Sequence, residues 1–421
     1  LCDRRQRQMC IRDRYCTYSI NGHCMVAHKM NFIKHIAHNL YNIPGWQTNR
    51  HLVVIESDDW GAIRMPSKEV YNQFLKEGIR VDNDPYCRYD SLATKEDLEV
   101  LFEALQSVKD KNGRPAVLTA DTVVANPDFE KIRKSGFREY FYEPITTTMN
   151  NSPNHTNVFD IWKEGIDAGI FRPQFHGREH LNVKKWLHVL REGKDPITRR
   201  AFELGTFGLT SKVSDEIKGT YMGAFDSALE GDIQEYTKII KEGLDLFEKL
   251  FGYRSRSFIA TTYTWHPLIE NSLKENGIDF LQGLVTQHIP VDDGHNYFYK
   301  RTNFQGKSSA SQLIYLMRNC FFEPSQFNNY HNAVDECLSR IRTAFRWKKA
   351  AVICSHRLNF IGNIDSSNRD RNIHLFTKLL NEIVKRWPDV EFVSSDELGS
   401  IIMNTRLGFR FNINTKTYPF K

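Results

Sequence analysis

The sequence predicts an α/β fold in which parallel strands alternate with helices. Three observations predict it. Short apolar runs alternate many times with longer segments of helical period, as βα units around a parallel sheet require. Asn276-Gly277 and Phe251-Gly252 place the residue favoured at helix C-termini just ahead of the next strand candidate. No long Pro/Gly/Ser-rich linker and no internal repeat breaks the series, so one large domain is expected.

Taken in order, the strand candidates are residues 52–55, 116–119, 171–175, 257–260, 280–284, 350–354 and 390–393. The helical periods between them cover 95–109, 233–251, 267–276, 333–347 and 372–387. Residues 1–29 carry no apolar period, and the run 8–14 reads like translated sequencing adaptor. They are expected to be a non-native or disordered extension, with Met30 the start of an amphipathic segment over 31–40. The expected organisation is therefore an extension over 1–29, a catalytic-scale domain over 30–405 and a tail over 406–421.

Composition narrows the function classes. Hydrophobic residues make up 40% of the 421 and charged residues 26%, which excludes disordered and collagen-like chains. The longest apolar runs fall far short of the roughly 20 residues a membrane-spanning helix needs. The net charge is +6, but residues 1–30 hold six Lys/Arg and two Asp/Glu, a net of +4 that leaves +2 for the other 391. With the signs interspersed, no nucleic-acid-binding face is expected. Four of the eight cysteines (Cys2, Cys10, Cys16, Cys24) lie in the extension, and Cys87, Cys320, Cys337 and Cys354 are scattered with no CxxC pair. A reduced, cytoplasmic protein is expected.

Three polar clusters follow strand candidates, where barrels and doubly wound sheets alike keep their active sites. The first is Glu56-Ser57-Asp58-Asp59-Trp60-Gly61. Adjacent carboxylates repel unless a cation or hydrogen-bonding partner intervenes, which suits one as a metal ligand and the other as a group facing substrate. An Asx turn leading into a helix would give the same pattern. The second is His176-Gly177-Arg178-Glu179-His180. Imidazoles four apart lie on one side of a helical turn and both can reach one ion, with Arg178 or Glu179 free for supporting contacts. Asp59, His176 and His180 together make three ligands with room for water, the pattern of a catalytic metal site. The third is Ser355-His356, where the histidine either serves as general acid or merely hydrogen-bonds a loop.

Together these residues resemble the NodB-like polysaccharide deacetylases, a metal-dependent carbohydrate esterase superfamily. Asp58 and Asp59 match the two acidic positions of its Thr-Phe-Asp-Asp-Gly type motif, His176 and His180 its His-Ser/Thr-x-x-His type motif, and 352–356 its late Leu-x-His type motif. The resemblance implies a divergent member with a distorted (β/α)7 barrel of the glycoside hydrolase/deacetylase type. It also implies one divalent metal held by Asp59, His176 and His180, with Asp58 as base and His356 as general acid on the opposite side of the reacting carbon. The reaction implied is removal of N- or O-acetyl groups from a carbohydrate. Zinc is the first choice for a nitrogen-rich ligand set.

The sequence departs from the family at several places. Trp60 stands where the family has Gly, and the 117-residue step from Asp59 to His176 implies an insertion. Residues 261–266 replace an Arg-x-Pro-Tyr type segment without its Arg or Pro. Tyr263 and His266 are candidates to take its place in holding substrate, with Trp60 and the strand-end Asp121 further candidates. Rival readings are a metal-dependent amide hydrolase acting on a non-sugar substrate, a glycosidase using Asp58 and Asp121 as its acid and base, and a non-catalytic carbohydrate-binding relative.

Overall fold

The computed structural model describes residue 36 and residues 38–210, 212–213, 220–291, 298–326 and 330–414. Its centre is a nine-stranded sheet. The strands are β1 (Leu52–Trp60), β2 (Leu118–Val123), β3 (Phe171–Gly177), β4 (Ser257–Phe258), β5 (Phe280–Leu284), β6 (Ile314–Arg318), β7 (Cys320–Phe321), β8 (Ala351–His356) and β9 (Glu391–Phe392). They lie in the order β6-β5-β4-β3-β2-β1-β8-β7, with β9 also against β1. Every pairing in this sheet is parallel.

The sheet closes on itself. Only Asn319 separates β6, which pairs with β5, from β7, which pairs with β8. The Asn319 backbone N–H donates to Val352 O at 3.2 Å, and its side-chain oxygen accepts from Val352 N at 2.9 Å. One run of chain thus joins the two edges, giving seven strand positions around a (β/α) barrel. A closed parallel sheet is covered on both faces, and all nine residues of β1 are buried accordingly.

The seventh position corrects the expected strand set. It is taken by residues 314–321, which no strand candidate covers, whereas the candidate 390–393 supplies only a two-residue wedge against Leu52 and Val53. Alternation along β1 separates the two faces. Val53 and Ile55 point outward into the layer shared with helices such as Lys95–Gln106 and Ser366–Arg386. Leu52 and Val54 point inward, against Ile314, Leu316 and Val352.

The last helix, Ser395–Asn414, closes the barrel at the end where the strands begin. Its Leu398 and Ile402 join that inner cluster, and a Cβ on Gly399 would come within 2.5 Å of the Phe280 ring. Only glycine permits that approach. The same helix runs past position 406, where the sequence reading starts a tail; residues 415–421 and the expected extension over 1–29 lie outside the described residues. Among the described residues no helix is long and apolar enough to cross a membrane.

The expected helices form, with shifted ends. The period beginning at 95 stops at Gln106 and starts on a reciprocal cap, in which Thr94 Oγ1 accepts from Asp97 N and Asp97 Oδ2 accepts from Thr94 N. Helix Glu230–Phe251 ends on Gly252 at φ 75°, as its Phe-Gly pair predicts. Segments after β1 and β3, including helices Pro85–Tyr89 and Val183–Glu192, pack as two further clusters above the strand ends and roof the barrel mouth.

Candidate active site

The site begins with a β-bulge. Between β1 and β2, Ser57 pairs with Ala120 but the next pair is Trp60 with Thr122, so β1 carries one extra residue. Asp59 occupies it at φ 75°, a left-handed conformation rare for a residue other than glycine. Regular alternation would send Asp58 and Asp59 to opposite faces. The extra residue lets both face the cavity at the mouth and turns Trp60 outward.

Trp60 is therefore not a substrate residue, contrary to expectation. Its ring meets Trp162 and Phe171 edge-on in the core, and its Nε1–H donates to Ser57 Oγ at 3.0 Å.

Asp59, His176 and His180 come together as the sequence predicts, each buried and each offering one ligand atom, all within 4.8 Å of one another. His180 Nε2 lies 3.2 Å and His176 Nε2 3.6 Å from Asp59 Oδ1. His176 Nδ1 lies 3.0 Å from Ile259 O, so it carries the proton and leaves the Nε2 lone pair free toward Asp59. That Nε2 is buried and makes no hydrogen bond, as a metal ligand would be left. Arg64 Nη2 donates to Asp59 Oδ2 at 3.0 Å, leaving Oδ1 for the ion. Burial opposes ionisation of Asp59, but Arg64 and the two histidines override it and hold its carboxyl well below the usual range. Burial, with the Arg64 charge, lowers the His180 pKa to about 4, which keeps its ring neutral for ligation. One oxygen and two nitrogens converging in a buried pocket fit a divalent metal.

The expected helical turn between the two histidines is absent. His176 belongs to β3, and Gly177 at φ 125° takes the chain off the strand into an irregular bend. Nor do Arg178 and Glu179 support the histidines. They pair with each other at 2.6 and 2.9 Å, and Arg178 reaches Glu242 at 2.5 Å.

Beneath Asp58 lies a fully buried arginine that the sequence reading missed. Arg318, the last residue of β6, grips Asp58 with two hydrogen bonds of 2.6 Å each. It also donates to Glu56 at 2.5 Å, to Asp121 at 2.9 Å and to the Tyr263 hydroxyl at 3.1 Å. One guanidinium thus meets three carboxylates in the barrel interior, where charges cannot stay uncompensated. Burial would raise the Asp58 pKa, but Arg318 brings it well below its ordinary value and keeps the carboxylate ionised. Asp121 goes the other way, pushed far up by burial and by the charges of Asp58 and Glu56. Asp121 therefore takes up a proton more readily than Asp58. Asp121 is fully buried among Arg318 and Gln282 and does not line the cavity, so the expectation that it contacts substrate is corrected.

His356 ends β8 and stands opposite Asp58 in the ladder between β1 and β8. Its Nε2 lies 3.6 Å from Asp58 Oδ2, and its Nδ1 lies 2.5 Å from Glu323 Oε1. The expected placement of His356 across the reacting carbon from Asp58 is thus replaced by a side-by-side one, because the two strands are direct neighbours. Burial disfavours the imidazolium, but the Glu323 charge and hydrogen bond outweigh it and lift the pKa to about 9. Asn359 Nδ2 and Gln326 Nε2 donate to Glu323 Oε2 at 2.8 and 2.9 Å and fix the carboxylate.

Tyr263 lines the cavity as expected. It follows Thr262 at φ 58° and is itself at φ 57°, and its hydroxyl donates to Asp58 Oδ2 at 3.3 Å. His266 does not reach the site; its Nδ1 accepts from Leu268 N at 3.3 Å, ahead of helix Ile269–Glu275. The cavity holds about 230 Å³ and opens to solvent between the roof segments, which contribute Tyr86, Lys212 and Met222.

No family model matches the chain, and no curated protein matches its sequence. Similar solved structures exist and include polysaccharide deacetylases. The "probable Polysaccharide deacetylase from Pseudomonas aeruginosa PAO1" is 10% identical, with 84% of this chain and 91% of that one covered and a TM-score of 0.43. The peptidoglycan deacetylase PdaC from Bacillus subtilis is 8% identical over 87% of this chain and 98% of its own, with a TM-score of 0.32. The 4-alpha-glucanotransferase from Thermococcus litoralis is 10% identical over 83% and 40%, with a TM-score of 0.43. Their names span deacetylation and glucan transfer, so the reaction of this chain has to be read from its own side chains.

Proposed function

We propose that this chain is a metal-dependent hydrolase that removes N- or O-linked acetyl groups from a carbohydrate. The observation that carries the reading is the convergence, in one cavity, of a three-ligand site with an ionised Asp58 and a protonated His356. The motif resemblance to NodB-like deacetylases supports the same reading, and the half-buried aromatic rings of Tyr86 and Tyr263 that line the cavity suit the face of a sugar.

Asp59, His176 and His180 would hold the metal, and the nitrogen-rich set favours zinc. A divalent ion there supplies Lewis acidity toward the acyl carbonyl and a water of lowered pKa. Asp58, kept ionised by Arg318, accepts the proton of the attacking water. Arg318 and the Tyr263 hydroxyl fix the carboxylate in one orientation, so no rotamer search precedes the transfer. His356, charged at neutral pH, donates its Nε2 proton to the departing nitrogen or oxygen, and Glu323 on Nδ1 stabilises the charged form it starts from. Arg64 holds the second oxygen of Asp59 and so fixes its ligand geometry.

A two-carboxylate glycosidase using Asp58 and Asp121 loses its support, since Asp121 is sealed beneath Arg318. The reading is tested by assaying acetate release from acetylated sugars before and after chelation, with metal content measured in parallel. Release that stops on chelation and returns with zinc supports it, and chelator-insensitive release counts against it.

A further inference from the structure

A second cavity of about 570 Å³ adjoins the first, and Tyr86, Tyr263 and His356 line both. The proton-donating imidazole thus stands in the wall between them. A substrate seated beside Asp58 can extend past His356 into this second space.

The second cavity contains a cation with no carboxylate partner among the described residues. Arg340, half-buried on helix Ala333–Arg346, lines it with its guanidinium over the Phe321 ring, 4.7 Å from Cζ to the ring centroid. No carboxylate or carbonyl among the described residues accepts a hydrogen bond from it. Arg64, Arg178, Arg318, Arg357 and Arg369, buried elsewhere in the molecule, are each held by a carboxylate. Of the two glutamates in the same cavity, Glu323 is committed to His356, Gln326 and Asn359, and Glu336 sits exposed on the rim. Burial lowers the Arg340 pKa from its ordinary value, with Glu336 offsetting only part of that cost. A half-buried, unpaired guanidinium stacked on an aromatic ring is the usual receptor for a planar or tetrahedral oxyanion.

We propose that the second cavity is a substrate subsite and that Arg340 there binds an anionic group, carboxylate or phosphate, on the substrate's sugar. The inference rests on the hydrolase reading for its carbohydrate ligand and adds to it the substrate class, an acidic rather than a neutral carbohydrate. Arg340 acts in binding alone, and no step of the chemistry passes through it.

The test is calorimetric titration of the full chain with glucuronate, glucose 6-phosphate and glucose, which needs neither metal nor turnover. The expected result is at least tenfold tighter binding of glucuronate, of glucose 6-phosphate or of both than of glucose, the arm that responds identifying the anion. Arg340→Gln should reduce that preference to near unity, Arg340→Lys should keep part of it, and Glu336→Gln should increase it by removing the competing charge at the rim. Equal binding of all three sugars by the unaltered chain, or a preference that survives Arg340→Gln, overturns the proposal. Anion preference in a protein that releases no acetate would sink the hydrolase reading while supporting the anion subsite, so the two failures are distinguishable.

Discussion

Asp58 and His356 are ladder partners on adjacent parallel strands, with His356 Nε2 3.6 Å from Asp58 Oδ2. The proposed base and acid thus differ in charge because each has its own counterion, Arg318 behind the one and Glu323 behind the other. Two groups titrating in opposite directions at contact distance is the arrangement that acid–base work at one pH requires.

Replacing Asp58 by Asn keeps its volume and removes its ability to take a proton. Turnover should fall about a hundredfold or more, while metal content stays at the level of the unaltered chain. The check is kcat on an acetylated sugar beside metal analysis of the same preparation; equal loss of metal would make Asp58 a ligand and reverse its role.

Arg318→Met keeps most of the volume and leaves Glu56, Asp58 and Asp121 buried without their cation. Removing one partner of a buried ionic cluster costs about 3–5 kcal/mol, so the melting temperature should drop markedly at pH 8. The drop should be smaller at pH 5, where the orphaned carboxylates take up protons more readily. Equal destabilisation at both pH values would mean that Arg318 contributes packing and little charge compensation.

His356 has a folded pKa raised to about 9 against an ordinary 6.5. A raised histidine pKa stabilises the fold fully below about pH 6.5, and that contribution is lost as pH rises through 9. The catalytic consequence has the same sign: kcat/KM should fall on an alkaline limb near pH 9 as the acid loses its proton. Glu323→Gln removes the charge that holds the proton and should move the limb down toward pH 6.5. A pH–rate profile of both proteins reads this directly, and an unmoved limb would detach His356 from it.

The residues proposed for the chemistry were legible because each is a polar group ending an apolar run, as in Ile55 to Asp59 and Cys354 to His356. The misplaced ones were lost to backbone geometry. Trp60 and Asp59 exchange faces through a bulge that no spacing rule records, and Asp121 reads as a strand-end carboxylate whether it meets solvent or a buried guanidinium. Arg318 was within reach, since the run 313–317 ends on it just as the other strands end on their polar residues. That run is the strand that fills the seventh barrel position and carries the counterion of Asp58. Glu323 carries no such mark, because its link to His356 exists only after β7 has paired with β8.

The central claim is that Asp59, His176 and His180 hold one metal ion although 117 residues separate Asp59 from His176. Its most direct test is metal stoichiometry by mass spectrometry on the purified chain and on Asp59→Ala, His176→Ala and His180→Ala, with circular dichroism confirming the fold of each. About one divalent ion per chain, reduced at least tenfold in each variant, is the predicted result. Full metal content in all three variants would place the ion elsewhere and contradict the account.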